Sequence, residues 1–241
     1  MPEFYPGGRQ VPAGNGWKWI VDGWTLFARA PGTWIAITLI YLVISTAVSF
    51  VPVIGVLANP VLNVIFTAGL LAGCRALDQG GALKVEHLFA GFQESVGTLV
   101  AAGLLYLALL LAVTLVTGLA VGFKVYNILS SGPLEPEAVL ALLLLGALAV
   151  LIWVALALPV VMAAWFAPAL VAFRRMSAGQ AMRASFAGCL RNFVPFLVYG
   201  LVLLVPAVLA TIPFALGWLV LGPLVIASIY TAYKDIYTSG P

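Results

Sequence analysis

The sequence predicts an all-α, polytopic membrane protein with six transmembrane helices, and three observations support this. The 241-residue chain is 63% hydrophobic and 8% charged, whereas soluble domains carry about 25% charged residues. Four long stretches contain no charged residue, namely residues 30–74, 95–123, 138–173 and 192–233. Since about 20 apolar residues cross a bilayer, the first and last stretches are each long enough for two spans.

The third observation is that each double-length stretch contains a cluster of residues that disfavour a helix interior. The clusters are Pro52, Gly55, Asn59 and Pro60 in the first stretch, and Pro213, Gly217 and Pro223 in the last. A turn at each cluster makes six spans in total. The predicted spans are Thr33–Val51, Leu57–Leu77, Val96–Gly122, Ala138–Phe173, Phe193–Ile212 and Trp218–Ile236.

The basic residues predict the orientation of these spans. Ten of the eleven Lys and Arg residues fall on one side of the predicted membrane, and only Lys124 falls on the other. The ten are Arg9, Lys18, Arg29, Arg75, Lys84, Arg174, Arg175, Arg183, Arg191 and Lys234. Because basic residues favour the cytoplasmic side, the sequence predicts a multi-pass protein of the bacterial inner membrane with both termini in the cytoplasm.

A single membrane domain is predicted over residues 17–236. It follows a flexible cytoplasmic N-terminus rich in Pro and Gly, residues 1–16, and precedes a C-terminal tail, residues 237–241. Three parallel repeat units are predicted within the domain, each an interfacial helix followed by a helical hairpin. The units cover residues 17–77, 83–173 and 180–236. Short matches support them: Gly32-Thr33 recurs as Gly97-Thr98, and Phe89-Ala90-Gly91 recurs as Phe186-Ala187-Gly188.

Each unit opens on a segment with the periodicity of an amphipathic helix. In the first unit the apolar face holds Trp17, Ile20, Trp24 and Phe27, and the polar face holds Lys18, Asp22, Thr25 and Arg29. In the second unit the polar face holds Lys84, His87, Gly91 and Glu94. Helices of this kind lie in the headgroup region of a bilayer, with the apolar face towards the chains. Membrane lipids are therefore expected partners, and the favoured interpretation is that these helices serve to orient the next span.

The middle unit is longer than the other two. Its predicted second span, Ala138–Phe173, would be about 54 Å long as one helix, against a hydrocarbon thickness of about 30 Å. Either both spans of this unit protrude outward, or Pro159 and Pro168 break the second of them, and protrusion is favoured. An apolar hairpin around residues 118–145 outside the bilayer would need a covering partner. The sequence therefore predicts contact with another membrane protein there.

The chain offers few groups for catalysis, and no catalytic, cofactor-binding or metal-binding residue is assigned. The single histidine, His87, is expected to be solvated at the membrane surface. Cys74, His87 and Cys189 are all predicted near the cytoplasmic face, but their spacing matches no chelating motif. We expect a non-enzymatic protein without a cofactor. The net charge of +3 is too small to indicate nucleic-acid binding.

Uncharged polar residues within the spans leave two functions open. The favoured hypothesis is an accessory or scaffold protein that binds lipid or another membrane protein. The alternative is a transporter or channel for a small neutral or amphipathic solute, with Asn63, Tyr106 and Tyr199 as possible cavity-lining residues. Two Gly-x-x-x-Gly pairs, Gly69 with Gly73 and Gly118 with Gly122, predict close packing between spans.

A run of Gly, Trp and aliphatic residues near the N-terminus carries a family resemblance. The residues are Val11-Pro12-Ala13-Gly14, Gly16-Trp17, Trp19-Ile20-Val21, Gly23-Trp24, Leu26-Phe27, Pro31 and Trp34. They resemble the opening of a family of uncharacterised six-span proteobacterial inner-membrane proteins, and this resemblance covers most of the chain without implying any functional residue. More loosely, the plan of elbow helix and hairpin is similar to the membrane domain attached to some glycerophosphodiester phosphodiesterases, whose catalytic half has no counterpart here.

Overall fold

The computed structural model describes residues 3–238 except 94, 133, 134 and 213. Within this part, six helices are long and apolar enough to cross a membrane, and no β-sheet is formed, so the predicted all-α polytopic fold is confirmed. The elements are α1 (Asn15–Ala28), α2 (Pro31–Ser49), α3 (Ile54–Asp78), the 3₁₀ helix η1 (Val85–Phe92), α4 (Val96–Ser130), α5 (Pro136–Trp165), α6 (Ala167–Arg174), α7 (Ala178–Arg191), α8 (Phe193–Thr211) and α9 (Trp218–Tyr237). The six candidate spans are α2, α3, α4, α5 continued by α6, α8 and α9.

The fourth span is interrupted once, and the interruption lies at one of the two prolines considered. Helix α5 continues through Pro159, whereas it ends at Trp165 and α6 begins with Pro168 in its first turn, where a missing N–H costs nothing. The Phe166 N–H at the break donates to the Ser185 hydroxyl at 2.9 Å. The tertiary structure thus supplies, from α7, the hydrogen-bond partner that the broken helix lacks.

The first and last hairpins turn where the sequence predicts, with Pro52 in the first turn and Gly217 in the last, directly before α9. Pro60 lies inside α3 and Pro223 lies inside α9, while Pro213 falls outside the described residues. Gly55, which lies inside α3, has a different role from the predicted break. A Cβ at Gly55 would lie 2.8 Å from the Val48 carbonyl, so glycine allows the two arms of the hairpin to approach closely.

Helices α1, η1 and α7 open the three predicted repeat units. Each of them packs against the hairpin of the preceding unit, and α1, which opens the first unit, packs against the hairpin of the last. Helix α1 contacts α8 and α9, η1 contacts α2 and α3, and α7 contacts α4, α5 and α6. Such an arrangement is what three repeat units around a common axis would produce. The repeat itself stays a prediction.

The buried core lies at the end of the molecule that carries both chain termini, which we call the termini face. Trp19, Trp34, Phe166 and Tyr237 are among the largest fully buried side chains, and Tyr237 is the last residue of α9, beside the N-terminal segment. At the opposite end, apolar side chains such as Phe123 are exposed. Packing between helices is therefore concentrated at the termini face.

The N-terminal segment, for which the sequence predicts flexibility, lies against α7 and α9. The Tyr5 N–H donates to the Tyr237 carbonyl at 3.0 Å, and the Arg9 N–H donates to the Ile236 carbonyl at 2.8 Å. Asn192, which is fully buried, accepts from the Val11 N–H at 2.9 Å. These partners are more than 180 residues away in sequence, so local composition could not indicate them.

The glycine pairs do not pack spans together, and that prediction is wrong. A Cβ at Gly69 would lie 2.9 Å from the Leu88 carbonyl of η1, and Gly118 and Gly122 have no neighbour within 4 Å among the described residues. Spans α3 and α4 instead approach closely at Gly103 of α4, where a Cβ would lie 2.7 Å from the Cα of Val61.

Candidate functional site

Helix α1 has three sides with different surroundings. Its buried side, packed on α8 and α9, holds Gly16, Trp19, Gly23, Leu26 and Phe27. Its exposed apolar side holds Trp17, Val21 and Trp24, with Trp17 56% exposed and Trp24 51% exposed. Its third side holds Lys18, Asp22, Thr25 and Arg29, which line a cavity. At about 100° per residue, the exposed apolar side and the polar side adjoin along the helix.

The sequence-predicted faces of α1 are therefore reproduced in part. All four residues of the predicted polar face meet at one cavity. Of the predicted apolar face, Trp17 and Trp24 are exposed, whereas Phe27 is buried inside the protein. The reason is that α1 packs on two other helices, which occupy part of the face that periodicity alone assigns to lipid.

The cavity, which we call the polar cavity, has a volume of about 640 Å³. It lies at the termini face between α1, the N-terminal segment and the ends of α3 and α9. Besides the polar side of α1, the residues that line it are Arg9, Trp19, Leu26, Asp78, Thr231, Lys234 and Asp235.

Asp235, on α9, is hydrogen-bonded to the N-terminal segment and to α1 at one wall of the polar cavity. Its carboxylate accepts hydrogen bonds from Arg9 Nη2 at 3.0 Å, from Asn15 Nδ2 at 2.7 Å and from Trp19 Nε1 at 2.9 Å. The Asp235 side chain is only 19% exposed. Because both carboxylate oxygens already accept hydrogen bonds, Asp235 stabilises the wall rather than offering a free charge to a ligand.

A second ion pair also lines the polar cavity. Lys234 Nζ lies 2.7 Å from Asp78 Oδ2, and the Tyr230 hydroxyl donates to the same oxygen at 3.0 Å. Arg29 Nη1 donates to the Leu77 carbonyl at 2.8 Å, near the C-terminus of α3, where the helix dipole favours a cation. Arg29 thereby uses one of its five N–H donors.

Lys18 and Asp22 differ from the other charged residues of the polar cavity. Neither has a hydrogen-bond or ion-pair partner among the described residues. Together with the unused donors of Arg29, they form a cation, anion, cation series along one side of α1. This series is complementary to a group that carries both a phosphate and an amine.

The three residues predicted to line one cavity are not brought together. Asn63 lines a second cavity of about 230 Å³ between α2, α3 and α9. Tyr199 lies outside that cavity, buried against Trp19 and Trp165, with its hydroxyl 2.7 Å from the Ser228 hydroxyl. Tyr106 is half-buried on α4 and does not line it either.

The residues considered for a metal have other partners or surroundings. His87 Nδ1 accepts a hydrogen bond from the Lys84 N–H at 2.9 Å. The Cys189 thiol points to the Met162 carbonyl at 3.5 Å, and burial raises its pKa to about 12, with the Ser185 hydroxyl acting in the opposite direction. Cys74 is buried in α3. No group of three His, Cys, Asp or Glu side chains suited to a metal occurs in the described part of the chain.

Sequence reasoning did not identify Arg9, Asp78 and Asp235 as part of a site. A usable signal is that Asp78 and Asp235 are acidic residues at the ends of spans whose flanks are otherwise basic. Such a residue needs a cationic partner nearby, which predicts a pair but not which pair.

Comparison with known proteins identifies one relative. A probable inner membrane protein of Burkholderia thailandensis is 33% identical over 200 residues, which cover 80% of this chain and 73% of the relative. No protein-family model matches the chain, and no solved structure matches it. None of these comparisons supports the looser resemblance to the membrane domain of glycerophosphodiester phosphodiesterases.

Proposed function

The chain belongs to the same family as this probable inner membrane protein of Burkholderia thailandensis, and we propose that it is a non-enzymatic protein that binds phospholipid headgroups in the polar cavity. The role is accessory: the protein holds lipid at the membrane surface, and it makes that lipid or its own surface available to other membrane proteins. The termini face is cytoplasmic in this proposal, as the distribution of basic residues predicts.

One observation carries the proposal, namely that two sides of α1 with opposite chemistry adjoin. Trp17, Val21 and Trp24 are exposed and apolar, which suits contact with acyl chains at the edge of a bilayer. The neighbouring side, with Lys18 and Arg29, lines the polar cavity. A phospholipid has the same division, with a charged phosphate next to apolar chains, so one molecule could contact both sides.

Charge supports a phosphate as the group that is bound. The Lys18 ammonium has no intramolecular partner among the described residues, and Arg29 retains most of its donors. Arg29 also lines a neighbouring cavity together with Thr33, in the first turn of α2, where backbone N–H groups favour an anion.

The test measures phospholipid retention by the purified protein in mild detergent, using native mass spectrometry. Lys18→Gln removes no hydrogen bond among the described residues, whereas Arg29→Gln also removes the hydrogen bond from Arg29 to the Leu77 carbonyl. We expect at least about a tenfold weaker retention of phosphatidylethanolamine for Lys18→Gln combined with Arg29→Gln, since each charge-assisted hydrogen bond contributes about 1.5–3 kcal/mol.

Two controls make the result specific. Lys124→Gln removes an exposed cation from α4, far from the polar cavity, and should leave retention unchanged. Diacylglycerol, which lacks the phosphate, should be retained equally by all variants. Equal phosphatidylethanolamine retention by the wild type and the double variant would contradict the proposal.

The proposal includes a second surface, on the hairpin of α4 and α5, for another membrane protein. Helix α4 has 35 residues, about 52 Å of helix, which exceeds the hydrocarbon thickness of about 30 Å. Phe123 and Tyr126, near its end, are 71% and 68% exposed.

Transport of a small neutral or amphipathic solute is the second candidate function, and the cavity beside Asn63 supports it.

A further inference from the structure

The cavity between α2, α3 and α9, which we call the apolar cavity, has no charged residue in its lining among the residues that the structure describes. Its side chains are mostly aliphatic and aromatic, with Trp34 and Trp218 among them. A charged ligand group would lose its hydration there without an opposite charge to replace it. The lining therefore selects an uncharged ligand.

Trp34, which lines the apolar cavity, carries an unsatisfied hydrogen-bond donor among the described residues. The Trp34 side chain is 1% exposed, and its Nε1 is buried without a hydrogen-bond partner among the described residues. Buried indole N–H groups are normally paired, because leaving one unpaired costs about 1–3 kcal/mol. A ligand that brings an acceptor to this indole would recover that cost.

A second donor lies two helical turns further along α2. The Tyr41 hydroxyl accepts a hydrogen bond from Asn63 Nδ2 at 3.0 Å, which leaves its own proton available. Thr38, between Trp34 and Tyr41, already donates to the Trp34 carbonyl at 2.9 Å. Trp34 and Tyr41 thus offer two donors to a ligand, which suit a carbonyl or ether oxygen, while Asn63 and Thr67 in the same lining also carry acceptor oxygens.

The volume limits how much of a ligand can enter. About 230 Å³ is room for roughly seven or eight groups of the size of a water molecule, at about 30 Å³ each. This suits the end of one alkyl chain and its polar group, but not a whole phospholipid.

From these observations we infer that the apolar cavity is a binding site for an alkyl chain that carries an uncharged hydrogen-bond acceptor, such as an ester carbonyl, with the Trp34 indole N–H as its donor. The site does not depend on the headgroup site in the polar cavity. The acceptor and chain could belong to a free amphipathic molecule or to an acyl chain of a bilayer phospholipid.

The test is photolabelling of the purified full-length protein in detergent micelles, with labelled residues located by peptide mass spectrometry. One arm uses a fatty acid methyl ester that carries a diazirine on its chain, and the other uses a phospholipid with the same group in one acyl chain. We expect saturable labelling of α2, α3 and α9 around Trp34 and Trp218 in at least one arm. The arm that labels identifies the source of the chain.

Competition and a matched pair of variants test the role of the acceptor. Unlabelled methyl ester should displace the probe, whereas an alkane of equal length should do so only weakly. Trp34→Phe keeps an aromatic ring and removes the N–H, so we expect about fivefold weaker labelling. Trp153→Phe, whose indole donates to Thr114 on the far hairpin, should not change it.

Several results would overturn the inference. One is labelling spread over the exposed residues of α4 and α5, without saturation, in both arms. Another is equal competition by ester and alkane. A third is equal labelling of the Trp34→Phe and wild-type proteins. If Trp34→Phe does not fold, the competition between ester and alkane on the wild-type protein still decides the role of the acceptor.

Discussion

At the residue scale, the most informative side chain of the polar cavity is Asp22. It is half-buried, has no partner among the described residues, and lies on the same side of α1 as Lys18 and Arg29. An unpaired carboxylate between two cations would repel a purely anionic headgroup and attract the amine of a zwitterionic one. Asp22 should therefore determine which phospholipid is preferred.

The corresponding prediction concerns Asp22→Asn. Removing the carboxylate should strengthen the retention of phosphatidylglycerol by about fivefold, or about 1 kcal/mol, and weaken that of phosphatidylethanolamine by a similar factor. Native mass spectrometry with equimolar lipids measures the ratio. Thr25→Ser, which keeps an uncharged hydroxyl in the same cavity, is the control. An unchanged lipid ratio in Asp22→Asn would show that Asp22 does not contact the headgroup.

At the element scale, the position of α1 depends on close backbone contact with α9. A Cβ at Gly23 would lie 2.8 Å from the backbone nitrogen of Ser228. A Cβ at Gly179, in the first turn of α7, would meet no atom of another part of the protein within 4 Å among the described residues. The two glycines therefore separate the effect of close packing from the intrinsic effect of glycine on a helix.

We predict that Gly23→Ala lowers the free energy of unfolding by about 1–3 kcal/mol, because α1 must move away from α9. Gly179→Ala should be neutral, or stabilising by about 0.5–1 kcal/mol, since alanine favours a helix more than glycine does. Thermal unfolding in detergent compares the two variants. Gly23→Ala should also weaken phosphatidylethanolamine retention, because α1 carries the polar side of the cavity. Equal stability of both variants would mean that α1 is not held as described.

At the scale of the whole molecule, the predicted orientation is open to a direct measurement. Lys124 lies near the C-terminal end of α4, and Arg183 lies exposed on α7 at the termini face. Single substitutions Lys124→Cys and Arg183→Cys place a thiol at each end. In spheroplasts, a membrane-impermeant maleimide should label the first variant and not the second.

The native cysteines should contribute little background to this labelling. Cys74 is buried. The pKa of the Cys189 thiol is raised to about 12 by burial, so at pH 7.5 the thiol is protonated and the reactive thiolate is scarce. Inverted membrane vesicles should give the reverse pattern of labelling. Labelling of Arg183→Cys alone in spheroplasts would mean that the termini face is periplasmic.

The sequence by itself determined the class of protein and the approximate positions of its membrane-spanning helices along the chain. Continuous uncharged stretches of at least bilayer length favour spanning helices, because a helix satisfies its backbone groups within the segment. For that reason the starts of α4, α8 and α9 coincide with the predicted Val96, Phe193 and Trp218. The residues of the polar side of α1 could also be predicted from the sequence, because helical periodicity depends only on local spacing.

Only the tertiary structure decided what those helices contact. Asp235 meets Arg9, and Asp78 meets Lys234, across more than 150 residues of sequence, and no local pattern specifies such pairs. Whether Phe27 or Trp24 faces lipid depends on which side of α1 is covered by α8 and α9. Likewise, the unpaired indole of Trp34 becomes a candidate ligand donor only because the surrounding helices bury it without an acceptor.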